Sequence, residues 1–147
     1  MADHLHKQIR AALVTKLTGL TTSGSRVYAN RLQPLPDALS PTLLITLDEE
    51  RAEGMTIHQP QAQERELTLT VSAVAKAVSG LDDTLDLMSK EVEIALATGI
   101  TLGSVTLPVY YTGMSFDDEQ ADKPVGVKRM SFTLPYTAMS NAPDVLT

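Results

Sequence analysis

The residues best suited to chemistry in this 147-residue chain form one acidic group: Asp117, Asp118, Glu119 and Asp122. Carboxylate oxygens are the ligands that calcium and magnesium prefer. The group lacks the glycine-punctuated spacing of an EF-hand loop. We therefore interpret residues 117–124 as a solvated acidic loop between two strands, and a structural cation is the alternative.

A second charged segment lies between two predicted strands. The strand before it is a continuous apolar run, and the strand after it alternates apolar and polar residues. The charged side chains of this segment are Asp48, Glu49, Glu50, Arg51 and Glu53. Charges at this place keep a protruding β structure soluble, or they meet a basic patch on a partner. We predict an extended arm over residues 48–65. Its charged side chains, with Asp117, Asp118 and Glu119, are predicted partner contacts.

Other groups offer little chemistry. His4 and His6 are two residues apart, so a helix would separate them by about 200°, whereas a helical zinc pair needs a spacing of four. The chain has no Cys, and no Gly-x-Ser-x-Gly, Ser-x-x-Lys or phosphate-binding glycine loop occurs. We expect no catalytic, cofactor-binding or metal-binding residue and no enzyme. A small-ligand module or an enzyme remains the competing class of protein. Tyr110 and Tyr111, with the acidic loop, are the polar groups that its pocket could use.

Composition limits the partners. Twelve Lys and Arg against eighteen Asp and Glu give a net charge of −6, and the basic residues are scattered along the chain. Nucleic-acid binders instead concentrate Lys and Arg on one face. No apolar run approaches the roughly 20 residues of a membrane span. We expect one domain over residues 1–147 that binds neither a specific nucleic-acid sequence nor a membrane.

Two amphipathic helices are predicted, over residues 3–18 and 80–98. Asp3 is the predicted N-cap of the first, and the stretch from Ser79 to Asp82 resembles a capping box for the second. The core stripe of the first helix repeats at steps of four, and that of the second spans about 50° each side of its centre. The predicted core residues are Leu5, Ile9, Leu13 and Leu17, then Leu81, Leu85, Met88, Val92 and Leu96.

Leu87 and Ile94 do not fit the stripe of the second helix. They project about 140 to 160° from its centre at 100° per residue. A helix with apolar residues on both faces suits a subunit that packs one face on its own sheet and the other on a neighbour. We predict both residues at a subunit interface; packing against a loop of the same chain is the alternative.

Strands are predicted over residues 42–50, 64–76, 104–116 and 125–137, with Pro108 indicating an edge or bulge. The fold class is α/β of the α+β kind, because period-two strands stand beside two helical stripes. We expect a mixed, mostly antiparallel sheet of four to five strands packed against the two helices. The last segment, 140–147, has no pattern and is predicted to be flexible.

The order of these elements resembles the tail terminator proteins of lambda-like long-tailed bacteriophages, the minor tail protein U-like family. The similarity covers nearly the whole chain. It consists of the order of the helices and strands and of short residue patterns at their ends. After the first helix these are Val27-Tyr-Ala-Asn-Arg31, Pro41-Thr-Leu-Leu-Ile-Thr-Leu-Asp48, Glu66-Leu-Thr-Leu-Thr-Val71, Leu81-Asp-Asp-Thr-Leu-Asp-Leu-Met-Ser89, Thr112-Gly-Met-Ser-Phe-Asp-Asp118 and Phe132-Thr-Leu-Pro-Tyr136.

This resemblance implies a structural virion protein. Such a subunit forms a homohexameric ring on the head-proximal end of the tail tube, stops tube polymerisation and presents a surface to the head-tail connector or stopper protein. It implies assembly in the host cytoplasm and residence in the virion tail. The resemblance leaves other head-tail joining, head-completion and minor tail proteins as alternatives.

Overall fold

The computed structural model describes residues 3–29, 41–76, 80–119 and 125–146. Within these ranges the chain forms two helices and seven strands. In chain order they are α1 (Leu5–Leu17), β1 (Val27–Tyr28), β2 (Thr42–Gly54), β3 (Ala62–Lys76), α2 (Leu81–Leu96), β4 (Ile100–Leu102), β5 (Val105–Leu107), β6 (Tyr110–Glu119) and β7 (Val125–Met139).

Five strands form the main sheet in the order β1-β2-β3-β7-β6, and β4 and β5 form a separate two-stranded sheet. β1 runs parallel to β2, while the other neighbours in the main sheet are antiparallel. The predicted α+β class, with a mostly antiparallel mixed sheet and two helices, is confirmed.

The core lies on one face of the central strands. In the register of β3 with β7, Leu67 lies opposite Leu134 and Leu69 opposite Phe132. All four side chains are at most 2% exposed. Residues directly opposite each other in a sheet project to the same side. This shared apolar side is the one that the helices cover, because α1 packs on β2 and α2 packs on β3 and β7.

Both predicted helical stripes are confirmed. The four leucine and isoleucine residues of the α1 stripe are buried, and so are four of the five α2 residues, with Leu81 partly buried against them. Full burial of such a side chain is worth roughly 1.5 to 3 kcal/mol in transfer free energy. The helices are therefore held mainly by this packing.

The predicted helix starts need correction. α1 is capped by His4 and not by Asp3, because the His4 imidazole Nδ1 accepts from the His6 backbone N–H at 3.0 Å. Asp3 instead pairs with Lys7 one turn later, at 3.2 Å. The N-cap of α2 is Gly80, with φ of 69° and no side-chain cap. The Ser79 side chain of the predicted capping box lies outside the described residues.

The predicted strand 104–116 is wrong in its limits. The structure separates β5 from β6 around Pro108 and continues β6 to Glu119. Proline has no backbone N–H and so cannot donate in a ladder. The predicted acidic loop is corrected in turn, because the backbone of Asp117, Asp118 and Glu119 pairs with β7. Residues 120–124 of that loop lie outside the described residues.

The charged segment after the first predicted strand is itself strand. β2 and β3 stay paired through Arg51↔Glu66 as far as Gly54↔Gln63. The connection between the two strands is therefore limited to residues 55–61. In it the Gln61 side-chain amide donates to the Thr56 carbonyl at 2.9 Å. The arm, residues 48–65, is the distal part of this β hairpin.

The C-terminal segment lies against α1. The Leu5 N–H donates to the Pro143 carbonyl, the Gln8 side chain donates to the Asp144 carbonyl, and Leu146 packs on the core. Ser140 joins the segment to the arm, because its N–H donates to the Gln61 carbonyl and its hydroxyl accepts from the Gln61 N–H. The flexibility predicted for residues 140–147 remains a prediction.

Candidate subunit-interface surfaces

A β bulge at Asp48 decides which charged side chains of the arm face outward. Leu47 pairs with Leu69 and Glu49 pairs with Thr68, so Asp48 is an extra residue. Its carboxylate accepts from the hydroxyls of Thr46 and Thr70. An extra residue reverses the alternation of side chains beyond it.

Glu50 consequently projects to the helix-covered side of the sheet, opposite Leu67. There its carboxylate accepts a hydrogen bond from the Tyr136 hydroxyl, lies 3.1 Å from His6 Nε2 and lies 3.7 Å from Arg65 Nη1. Only 16% of the Glu50 side chain is exposed. Sequence reasoning placed Glu50 among the outward charges; the structure places it in a polar cluster inside the subunit.

This polar cluster perturbs two ionisable groups. Burial, and then the hydrogen bond to Glu50, raise the pKa of Tyr136. Burial, and then the charges of His6 and Arg65, lower the pKa of His4. Gln63 completes the cluster by accepting from Arg65 Nη2 at 2.9 Å. Its contacts join α1, β2, β3 and β7, so the cluster fixes the base of the arm to the domain.

The other charges of the arm share the sheet face opposite the helices. Glu49, Arg51 and Glu53 are exposed. Arg51 lies opposite Glu66, but Glu53 lies directly opposite Glu64. Like charges facing each other across a ladder are destabilising. This acidic face of the arm is therefore poorly compensated within the subunit.

The acidic residues at the end of β6 are described in backbone only. Asp117 pairs with Val127 and Glu119 with Val125, which separates them from the arm charges by the width of the sheet. Their side chains, and Asp122, are outside what the structure describes. Among the described His, Asp and Glu side chains no group of three is placed to hold a metal ion.

The predicted orientation of Leu87 and Ile94 is confirmed. They are 48% and 63% exposed, while Leu85 and Met88 face the sheet and are buried. Seven residues of helix separate the pair, about 10.5 Å along the axis at 1.5 Å per residue. We call the side of α2 that carries Leu87 and Ile94 the outer face of α2.

Sequence reasoning missed an apolar surface on β6. Tyr110, Tyr111, Met114 and Phe116 are each 42% to 57% exposed. β6 is the last strand in the order of the sheet. We call its unpaired outer side, together with these four side chains, the β6 edge. The sequence predicted a strand here, but only the strand order shows that no described residue pairs with its outer side.

The tip of the arm was also missed. Met55 is 56% exposed and Ile57 is fully exposed, at 103%. Both stand in the connection between β2 and β3, beyond the last paired residues. Two exposed apolar side chains at the end of a hairpin are well placed for contact with another molecule.

The groove that could hold a small ligand is not at Tyr110 and Tyr111, where the sequence suggested one. An open groove of about 370 Å³ runs between β5, β7 and the C-terminal segment, with Val105, Leu107, Pro135 and Leu146 in its walls. Tyr110 and Tyr111 do not line it. The groove is mostly apolar, and Glu64 is the one charged residue among the described residues of its walls.

Neither described helix is long and apolar enough to cross a membrane. No family model matches the chain, and no curated protein matches it. Among solved structures it is similar to a chain in "Virion of native gene transfer agent (GTA) particle". That match has a TM-score of 0.48 and 15% identity, over 90% of this chain and 91% of that one.

Proposed function

We propose that this protein is a structural virion subunit, a tail terminator. Six copies form a ring at the head-proximal end of the phage tail tube, end its polymerisation and provide the surface that joins the head connector. The proposal rests on the resemblance in element order and on the surfaces described above.

The observation that carries it is the presence of two separate apolar surfaces on one small domain. The outer face of α2 points away from the sheet, whereas the β6 edge lies at the margin of the sheet. A subunit that contacts copies through two different surfaces makes heterologous contacts, and these close into a ring when the rotation between copies allows it.

The arm supplies contacts of another kind. Its tip carries Met55 and Ile57, and its acidic face carries Glu53 and Glu64 opposite each other. Such a face is complementary to a basic patch, and charge complementarity favours the correct partner over others. In this proposal the tip and the acidic face of the arm meet the tube protein or the connector, while α2 and β6 meet neighbouring copies.

Purified protein tests the proposal directly. We expect sedimentation velocity to show hexamers, and negative-stain electron microscopy to show rings with a central hole. When added to growing tubes of tail tube protein from the same source, the rings should shorten the tubes and cap one end. A protein that stays monomeric with and without tubes, and leaves tube length unchanged, would contradict the proposal. Rings that bind a connector but not tubes would favour a head-completion role.

A further inference from the structure

The main sheet has an open margin at β6. This ten-residue strand bonds to β7 on one side, and no described residue pairs with its other side. A long unpaired strand margin is a template for pairing with another chain, and natural proteins usually block it with charge, bulges or a covering element. β6 has a bulge between Tyr111 and Gly113 and ends in acidic residues, but its exposed Tyr111, Met114 and Phe116 add apolar surface along the margin.

Among the described residues, most of the opposite margin of the sheet is unpaired as well. β1 pairs with β2 only at Leu43 and Leu44. Beyond Leu44, no described strand pairs with the outer side of β2, which continues to Gly54. Residues 45–54 of β2 thus match β6 in length.

The strand directions make these two margins compatible. β3 runs antiparallel to β2, β7 antiparallel to β3, and β6 antiparallel to β7. β6 therefore runs opposite to β2. If copies are repeated side by side in one sense, as in a ring, β6 of one copy meets β2 of the next in antiparallel orientation.

We propose that β6 of one copy pairs with residues 45–54 of β2 in the next copy, so that the sheet continues across every subunit interface. This inference rests on the proposed function for the ring and identifies the surface that closes it. Backbone hydrogen bonds supply the contact, as in other cases of β augmentation.

The side chains on the helix-covered side fit this junction. Tyr111 and Met114 project to that side, because they lie opposite the buried Phe132 and Met130. From β2 the same side carries Leu47, which is only partly buried within its own subunit. The junction would cover apolar surface that a lone subunit leaves in water.

The antiparallel sense also separates like charges. It places the acidic end of β6, at Asp117 and Asp118, beside the uncharged start of the open β2 margin at residues 45–47. The tyrosines that begin β6 then meet the charged half of that margin, near Arg51 and Glu53. A two-fold pairing of β6 with β6 would instead make a closed dimer and leave β2 unpaired.

Engineered cysteines can test the pairing, since the native chain contains none. Ser115→Cys places a thiol at an exposed position of β6, on the sheet face opposite the helices. Three variants of β2 place a second thiol on the same sheet face: Glu49→Cys, Arg51→Cys and Glu53→Cys. Each one tests a different register of pairing between β6 and β2. Side chains opposite each other in an antiparallel pair have Cβ atoms about 4.5 to 5.5 Å apart. This is within reach of a disulfide after a small adjustment.

Each β2 variant is combined with Ser115→Cys in one chain, assembled and oxidised. We expect at least one combination to give a ladder of covalent multimers that ends at the hexamer and disappears on reduction. Each single variant should stay uncrosslinked. The matched control combines Ser115→Cys with Ala11→Cys, which is exposed on α1, a helix that no proposed contact uses, and it should give no ladder.

Three outcomes would overturn the inference. Covalent dimers of the Ser115→Cys variant alone would show two-fold β6 pairing. Rings without a ladder in any combination would refute the junction while leaving the terminator role in place. Absence of rings in the wild type would refute both. If the cysteine variants do not assemble, hydrogen exchange of the wild type decides, because peptides from β6 and from residues 45–54 must both gain protection on ring formation.

Discussion

The Tyr136 hydroxyl donates to the Glu50 carboxylate across the intervening strand β3. This hydrogen bond joins β7 to the base of the arm. It exists because the bulge at Asp48 turns Glu50, and not Glu49, toward the helix-covered side. Two adjacent glutamates of the same strand therefore lie in different environments: Glu50 in the polar cluster inside the subunit and Glu49 on its surface.

Replacing each glutamate separately should reveal that difference. Glu50→Ala leaves the Tyr136 hydroxyl and the Arg65 guanidinium, both on mostly buried residues, without their shared acceptor. We expect a loss of roughly 1 to 3 kcal/mol in unfolding free energy. Glu49→Ala, on an exposed residue, should change it by less than about 0.5 kcal/mol. Urea denaturation measures both, and equal losses would mean that the bulge does not set the orientation of Glu50.

The same cluster predicts a loss of stability at high pH. Burial and the bond to Glu50 raise the pKa of Tyr136 above its ordinary value of 10.0, so the folded protein holds the phenol proton more tightly than the unfolded chain. The resulting stabilisation is complete below pH 10 and is lost as the pH rises through 10 toward the folded pKa.

Tyr136→Phe removes this titration and provides the comparison. We expect the difference in unfolding free energy between wild type and Tyr136→Phe to be constant from pH 7 to 9 and to shrink above about pH 10. Urea denaturation at each pH measures it. A difference that stays constant up to pH 11 would contradict the proton linkage.

Gly99 is predicted to tolerate no side chain. Its φ is +78°, and a Cβ there would lie 2.3 Å from the Leu107 carbonyl oxygen. Gly103 has a similar φ of +60° but open space around it. Gly103→Ala should cost about 1 to 2 kcal/mol for the left-handed backbone, and Gly99→Ala should cost clearly more because β4 and β5 must separate. Equal costs in denaturant unfolding would show that the loop relaxes freely.

Local periodicity predicted the parts of the fold that depend on one element at a time. The α1 stripe and the exposed position of Leu87 and Ile94 follow from 3.6 residues per turn, whatever the helix packs on. The burial of Leu67 and Leu69 in β3 likewise follows from the period-two pattern of a strand with one face packed.

Features that depend on residues distant in the chain were not predictable in this way. The bulge at Asp48 involves Thr70, 22 residues away, and regular alternation from Leu47 would have placed Glu49 inward. The exposure of Met114 follows from the place of β6 at the end of the strand order. The sequence showed that β6 is a strand, but strand order is set by pairing between elements.

The arm and the C-terminal segment are predicted to gain order from neighbours. Charged hairpin residues contribute little to the core, so contacts with partners must offset the entropy of ordering them. Hydrogen exchange should show weak protection of peptides from the connection 55–61 and from residues 140–147 in the monomer, and at least tenfold slower exchange in the ring or on the tube. Peptides from the centre of β3 serve as the internal control. Equal protection in monomer and assembly would contradict this prediction.

The outer face of α2 gives the last prediction. Leu87→Asp with Ile94→Asp removes two exposed apolar side chains that we place at the contact between copies. Burial of each at an interface contributes roughly 1.5 to 3 kcal/mol, an upper value before association costs. Because a ring repeats that contact at every interface, we expect the double variant to sediment as a folded monomer.

Two controls make this result specific. Lys90→Asp changes the net charge by −2, as the double variant does, but leaves Leu87 and Ile94 in place on the same exposed helix. It should therefore keep the ring if apolar contact and not charge holds the copies together. Leu85→Asp places a charge at a position that is 1% exposed and should unfold the domain. Circular dichroism checks folding and sedimentation velocity checks assembly. A folded Leu87→Asp, Ile94→Asp variant with rings of unchanged stability would show that copies do not meet through α2, and the β6 edge would then have to carry the interface without it.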